Sequence, residues 1–207
     1  ELFGARKTEV DGVSGVSFCM NMPGAVRVSV VGDFNNWDGR VNPMRRIDYT
    51  DIYELFIPGD LADTRYKFEA LYRDGNIDIF ADPYAVAYEV APGNASILTE
   101  LEYSWSDAAY MNSRKNTGAV NIYEVHMPTW KSIADEGRLT YAEFGKDIAV
   151  YAKNMGYNYI QFMPLMEYGD DNGWGYDTVG MFAPTSRYGT PVDFMAMVDH
   201  LHSKGIG

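Results

Sequence analysis

The sequence predicts a mixed fold, an antiparallel β-sandwich over about the first hundred residues and then a shorter stretch of alternating strands and helices. Three observations lead there. From Val10 to about Leu101, short runs with period-two alternation are punctuated by turn residues roughly every 8 to 12 positions. A polar, irregular segment follows, from Glu102 to Ala119. From Val120 onward, apolar strand-like runs alternate with capped helical segments, as in parallel βα units of a sheet or barrel covered by helices.

In the first part, Val26, Val28 and Val30 fall on one face of a strand, with Arg27 and Ser29 on the other. Tyr66, Phe68 and Ala70 are expected inward, and Lys67 and Glu69 outward. Asp74-Gly75-Asn76 then supplies a hairpin turn. The segment 102–119 reads as a linker, although Tyr103, Trp105 and Tyr110 suggest that it packs on something.

In the second part, Val120 to Val125 is a compact apolar strand. Thr140, with Glu143 three residues on, forms a capping box that opens a helix. That helix presents Tyr141, Phe144, Ile148, Ala152 and Met155 on one face, and Gly156 is placed to end it. Tyr159 to Met166 is expected as a second strand. Thr190-Pro191-Val192-Asp193 opens a second helix, with Phe194, Met197 or Val198, and Leu201 facing the core. Gly205 closes it, and Ile206 starts a third strand. A complete barrel takes about 250 residues. The stretch 120–207 therefore reads as the first two βα units of an incomplete one, its missing neighbours leaving Ile122, Val125, Ile160, Phe162 and Met163 uncovered. Self-association through that face is an expectation.

Composition narrows the function classes. The 207 residues carry a formal net charge of −12, the wrong sign for gripping a phosphate backbone or an anionic lipid surface, so neither nucleic acid nor membrane is an expected partner. No apolar run approaches the roughly 18 residues of a membrane span, and the N-terminus lacks a signal-peptide pattern. The single cysteine, Cys19, lies in an apolar run and is expected as a buried thiol in a reducing, cytoplasmic setting.

The connection from Glu167 to Gly189 is the most informative segment, because long connections after parallel strands build active sites in βα folds. It carries Glu167, Asp170, Asp171, Trp174, Tyr176, Asp177, Arg187 and Tyr188 among several glycines. Aromatic rings on such a loop suit stacking against the apolar face of a sugar. Glu167, Asp170 and Asp171 read as solvated loop or turn charges, and His126 as a hydrogen-bonded structural histidine. His200 and His202, two apart on a helix, face different ways, so no metal site is expected.

These motifs carry a family resemblance. GDFNNWDGR (Gly32 to Arg40), PMR (Pro43 to Arg45), YKFE (Tyr66 to Glu69), ADPYA (Ala81 to Ala85) and YEVH (Tyr123 to His126) are five of them. WGYDTVGMFAPTSRYGTPVDF (Trp174 to Phe194) and VDHLHSKGIG (Val198 to Gly207) complete the set. Together they resemble the bacterial 1,4-alpha-glucan branching enzymes over essentially the whole chain. The resemblance implies an immunoglobulin-like carbohydrate-binding β-sandwich (residues 1–101), a linker (102–119) and the truncated first part of an α-amylase-type (β/α)8 TIM barrel (120–207). It implies transfer of an α-1,4-glucan segment to a 6-hydroxyl through retaining carboxylate chemistry, with no cofactor and with glycogen, amylose or maltooligosaccharides as partners. The family's nucleophile, acid/base and stabilising aspartate all lie beyond the third strand, so none is in this sequence.

Tyr176 matches the family's tyrosine beneath the sugar at the cleaved bond, and Trp174 is carried with it as a substrate-binding or loop-bracing residue. In the sandwich, Trp37 is a sugar platform or a core plug, and Lys67 a hydroxyl-binding or solvated residue. Ile77 and Ile79 stand where glycogen-binding relatives usually place a second tryptophan, MPTW (Met127 to Trp130) departs from the usual Leu-Gly-Ser-Trp-like run, and Asp177 replaces a common glutamine. These departures leave room for a trehalose-releasing or debranching α-glucan hydrolase, or for a non-catalytic glucan-binding module.

Overall fold

The computed structural model describes residues 2–114, 118–131 and 137–207. Two compact units emerge, one of Glu1–Glu100 with Gly180–Ala183 and one of Leu101–Val179 with Pro184–Gly207.

The first unit holds β1 (Gly4–Val10), β2 (Val13–Asn21), β3 (Ala25–Gly32), β4 (Arg45–Arg46), β5 (Ile52–Pro58), β6 (Arg65–Tyr72), β7 (Ile77–Phe80) and β8 (Ser96–Ile97). One sheet runs β1-β2-β5-β4 and the other β3-β6-β7, with β8 also on β6, and every pairing is antiparallel. Val16, Phe18 and Met20 of β2 and Tyr53 of β5 share one core with Val28 and Val30 of β3 and Tyr66, Phe68 and Ala70 of β6. The unit is thus an antiparallel β-sandwich, and each large apolar side chain withdrawn from water contributes about 1.5–3 kcal/mol. The tyrosines bring hydroxyls into this core, and both are satisfied: Tyr53 donates to the Ala25 carbonyl at 2.7 Å, and Tyr66 to Asp82 Oδ2 at 2.7 Å. Cys19 is buried and free, and burial pushes its thiol pKa up.

Alternation fails at Val26 and also at Ser29 and Glu69, which are buried rather than outward, the Glu69 carboxylate being paired with Arg27 at 2.5 Å. Val26, expected inward with Val28 and Val30, is exposed. The register of β3 against β6 shifts between Ala25 and Arg27, and the extra residue of this bulge turns Val26 outward. The hairpin forms at Asp74-Gly75-Asn76, where Tyr72 and Asn76 close the turn.

The second unit holds α1 (Ala108–Ser113), β9 (Ile122–Val125), α2 (Met127–Trp130), α3 (Tyr141–Met155), β10 (Tyr159–Phe162), β11 (Met166–Tyr168), the two ends of β12 (Thr178–Pro184) and α4 (Pro191–Ser203). Strands β9 and β10 pair in parallel, with α3 between them in sequence. The capping box closes as expected, Thr140 Oγ1 accepting from the Glu143 amide and the Glu143 carboxylate from the Thr140 amide. Tyr141, Phe144, Ile148 and Ala152 of α3 are buried. Met155, in phase with them, is exposed, because it lies in the last turn beside the left-handed Gly156 cap. Thr190 and Asp193 cap α4 in the same way.

Val125 packs in the core with α3, as do the partly buried Ile160 and Phe162, which corrects the expectation of an uncovered apolar face. The opposite side of the two strands carries Ile122, Glu124, Tyr159 and Gln161, of which the exposed three include the polar Glu124 and Gln161. The second strand stops at Phe162 rather than Met166, Pro164 having no amide proton to continue a ladder. Next to β10, Gly207 donates to the Asn158 carbonyl at 3.0 Å and accepts from the Ile160 amide at 2.8 Å, a parallel pattern on the strand's other side. Ile206 beside it is fully buried.

Of the expected linker, residues 115–117 lie outside the described residues, and the rest is not loose. Tyr103 and Ser106 donate to Asp199 of α4 at 3.0 and 2.8 Å. His202 Nδ1 meets Asp107 at 2.7 Å, and its ring stacks on Tyr110. No helix among the described residues is long and apolar enough to cross a membrane.

Candidate functional site

Two surfaces carry the residues singled out in the sequence, one in each unit. In the sandwich, the chain leaves β3 through a short 3-10 turn over Asp33–Asn35. Asn35, buried, accepts from the Gly32 amide at 2.9 Å and donates to the Val30 carbonyl and to Asn42, both at 2.8 Å, tying the loop into one shape. Asn36 and Trp37 then follow in the left-handed region, at φ 53° and 60°. Such conformations cost non-glycine residues of order 1–3 kcal/mol and persist only where the surroundings impose them. Here the Trp37 amide donates to the Gly32 carbonyl at 3.0 Å, and its indole Nε1 donates to Asp33 Oδ1 at 3.2 Å. Asp33 is itself held by Arg65 through Nε at 2.9 Å and Nη2 at 3.0 Å, and this two-pronged bond holds its carboxyl below the usual carboxylate range. Trp37 is 38% exposed and outside the core, so it is not a core plug.

Lys67 points away from the core on β6, and its Nζ hydrogen-bonds Asn94 Oδ1. Asn94 was not legible in the sequence as a site residue: it stands 27 positions away, next to β8, and only the β6–β8 pairing brings it to Lys67. Ile77 and Ile79 are exposed, at positions of β7 that pair with Leu71 and Glu69 of β6. They therefore share the face of Lys67 and present aliphatic carbon where a flat ring is absent.

In the second unit, the long connection is not a plain loop: β11 and β12 pair as a two-stranded sheet, and the turn between them carries Trp174 and Tyr176. Asp171–Gly173 forms a 3-10 turn, the Tyr176 amide donates to the Gly173 carbonyl at 3.0 Å, and the Gly169 amide to the Asp177 carbonyl at 3.0 Å. Gly175 is obligatory here, because at φ +86° a Cβ would stand 2.7 Å from the Pro164 carbonyl oxygen. The result is exposure of both rings, Trp174 at 56% and Tyr176 at 67%.

The base of this turn holds a buried ion pair that reverses the expectation of a solvated acid at Glu167, whereas Asp170 and Asp171 are exposed in the turn as expected. Glu167 and Arg187 side chains are 5% and 4% exposed, with Arg187 Nη1 2.6 Å from Glu167 Oε1. The carboxylate also accepts from Thr185 Oγ1 at 3.1 Å and from the Ser186 amide at 2.6 Å. Arg187 donates in addition to the Tyr168 carbonyl at 2.9 Å and, through Nε, to Asp171 at 2.7 Å, while its guanidinium lies 3.9 Å over the Tyr168 ring. Asp171 bonds a second guanidinium, Arg138, at 2.6 Å, and these bonds, Arg138 first, lower its pKa. The strand periodicity gave no sign of this pair, because its partners are 20 positions apart and meet only when the two strands align.

Trp174, like Trp37, is left-handed, at φ 57°, and its ring stacks on His126 with centroids 4.9 Å apart. His126 Nδ1 lies 2.8 Å from Thr129 Oγ1, which fixes the imidazole at the end of β9. Met127 and Trp130 of the divergent MPTW run pack into the core as the short helix α2.

Residues 2–85 match the family described as Carbohydrate-binding module 48 (Isoamylase N-terminal domain). A 1,4-alpha-glucan branching enzyme of Chlamydia pneumoniae is 44% identical across 100% of this chain, and one of Synechococcus sp. (strain CC9902) is 41% identical across 99%. Throughout its length the chain resembles the 1,4-alpha-glucan branching enzymes. It spans 29% and 30% of the length of those two relatives. Among solved structures, an alpha-amylase candidate from Salmonella typhimurium superposes on 99% of the chain and 32% of its own, with a TM-score of 0.75 and 26% identity.

The partial burial of His126 has a measurable consequence. Burial lowers the His126 pKa from 6.5, so the folded protein binds this proton less readily than the unfolded chain. The stability contributed by neutral His126 is therefore complete above pH 6.5 and is lost as pH falls from there through the folded midpoint. An NMR titration of the imidazole should give a midpoint below 6.5; a midpoint at or above 6.5 would refute the effect of burial on His126.

Proposed function

We propose that this chain supplies part of a 1,4-alpha-glucan branching enzyme: a carbohydrate-binding sandwich (residues 1–101), a connector (102–119) and the first two βα units (120–207) of an α-amylase-type barrel. The observation that carries the proposal is identity of 41% to 44% sustained across the chain with branching enzymes from distant bacteria. In the proposed reaction an α-1,4 bond of the donor glucan is cleaved, the donor segment is held on an aspartate, and a glucan 6-hydroxyl displaces it to form an α-1,6 branch. The carboxylates for those steps are assigned outside these residues.

Within that reaction, Tyr176 offers an exposed ring for the sugar at the cleaved bond, and Trp174 borders it and braces the turn against His126. On the sandwich, Trp37 offers a second ring, with Lys67 and Asn94 as donors and acceptors for sugar hydroxyls. The ligand is a neutral α-glucan such as glycogen, amylose or a maltooligosaccharide, and the setting is the cytoplasm. With one aromatic platform, and aliphatic Ile77 and Ile79 rather than a ring on the face of Lys67, the sandwich should bind maltoheptaose only in the millimolar range, about −4 kcal/mol. Calorimetry should find that binding weakened by Trp37→Ala, and the isolated chain should add no α-1,6 linkages to amylose by proton NMR. Micromolar binding indifferent to Trp37→Ala would put the sugar elsewhere, and branch formation by the chain alone would remove the assignment of the carboxylates.

Self-association belongs to the same proposal. Among the described residues β9 pairs only with β10, and Ile122 is exposed beside that edge. Light scattering coupled to size exclusion should therefore show a concentration-dependent dimer that Ile122→Lys dissolves. A monomer at every concentration would count against pairing through β9.

A further inference from the structure

We propose that Arg187 is a positioning residue for the glucan, acting through Asp171 on Tyr176 without touching sugar. The proposal rests on the stacking role given to Tyr176 above. Its basis is the way one guanidinium divides its donors. Nη1 serves the base of the turn, bonding the Glu167 carboxylate at 2.6 Å and the Tyr168 carbonyl at 2.9 Å, both on β11. Nε faces the tip and bonds Asp171 at 2.7 Å. Asp171 opens the 3-10 turn whose last carbonyl, Gly173, receives the Tyr176 amide. Two hydrogen bonds, joined by the backbone of the 3-10 turn, thus run from the buried pair to the backbone of the exposed ring.

The side chain of Arg187 is 4% exposed, so it has no surface to offer a sugar, whereas that of Asp171 is 52% exposed. The fork is what the position requires. A lysine brings a single point charge and reaches Glu167 or Asp171, not both in fixed geometry. Arg138 also bonds Asp171, but from outside the turn, so it anchors the tip without linking it to the base.

A purely structural role would lower stability and activity together, and its effect would multiply with any other loss. A positioning role is spent once Tyr176 is gone. The test is a double-mutant cycle in the full-length protein that carries this chain, reading kcat/KM on amylose and, separately, Tm. Arg187→Lys keeps a cation beside Glu167, and Asp171→Asn alters only the half-exposed acid; each is expected to lower kcat/KM about tenfold. Tyr176→Ala should lower it at least as much, and either double variant should stay within about twofold of Tyr176→Ala alone.

Losses that multiply in both doubles, or an unchanged kcat/KM in Arg187→Lys and Asp171→Asn, would overturn the proposal. The failures are separable. A loss in Tyr176→Ala with none in Arg187→Lys and Asp171→Asn removes the positioning role and leaves the stack. No loss in Tyr176→Ala removes both.

Discussion

The second unit depends on a charge pair that water does not reach. Burying Glu167 or Arg187 alone would cost several kcal/mol, and neither ion is tolerable at 4–5% exposure unless the other is present and the remaining donors and acceptors are filled. They are filled by Thr185, the Ser186 amide, the Tyr168 carbonyl and Asp171. Such a pair is weak evidence for stability compared with an apolar core of the same volume, but it is exacting about geometry. Only one alignment of β11 with the segment after β12 satisfies every member at once. The glycine-rich turn between them inherits its shape from that alignment, and with it the exposure of Trp174 and Tyr176.

The sandwich solves a similar problem with exposed charges. Asp33 fixes the Trp37 indole, and Arg65 fixes Asp33, with its remaining Nη1 bonded to Glu89 at 3.1 Å. Arg65 and Asp33 are half- and one-third exposed, so solvent screens this clamp and its contribution to stability is small. Its effect is on orientation. Both candidate tryptophans therefore sit in left-handed backbone and are each held by one neighbour, Asp33 for Trp37 and His126 for Trp174.

Local periodicity made much of the fold legible. The inward set Tyr66, Phe68 and Ala70, the capping boxes at Thr140 and Thr190, and the αL stop at Gly156 all rest on neighbours within four residues, and all are present. The misreadings arose where structure is set by partners distant in sequence. The bulge that turns Val26 outward is a property of the β3–β6 register, and no pattern within β3 encodes it. Val125 looked uncovered because the alternation in β9 does not say which face α3 will cover. The pairing of Lys67 with Asn94, and of Glu167 with Arg187, required the sheets to be assembled first. The aromatic candidates were singled out because motif resemblance marks residue identity; His126, Glu167 and Arg187 were visible as residues, but their contacts with one another and with the turn appear only in the folded geometry.

The claim that the buried pair sets the conformation of the turn is tested most directly by backbone hydrogen exchange in Glu167→Gln. That change removes the charge, keeps the shape, and leaves Arg187 buried with Asp171 as its remaining carboxylate partner. The amides of Gly169, Gly173 and Tyr176, which donate within the turn, should exchange at least tenfold faster, while those of Ile148 to Ala152 in α3 keep their protection. Unchanged protection of the three turn amides would contradict the account, because the turn would then hold its shape without the pair.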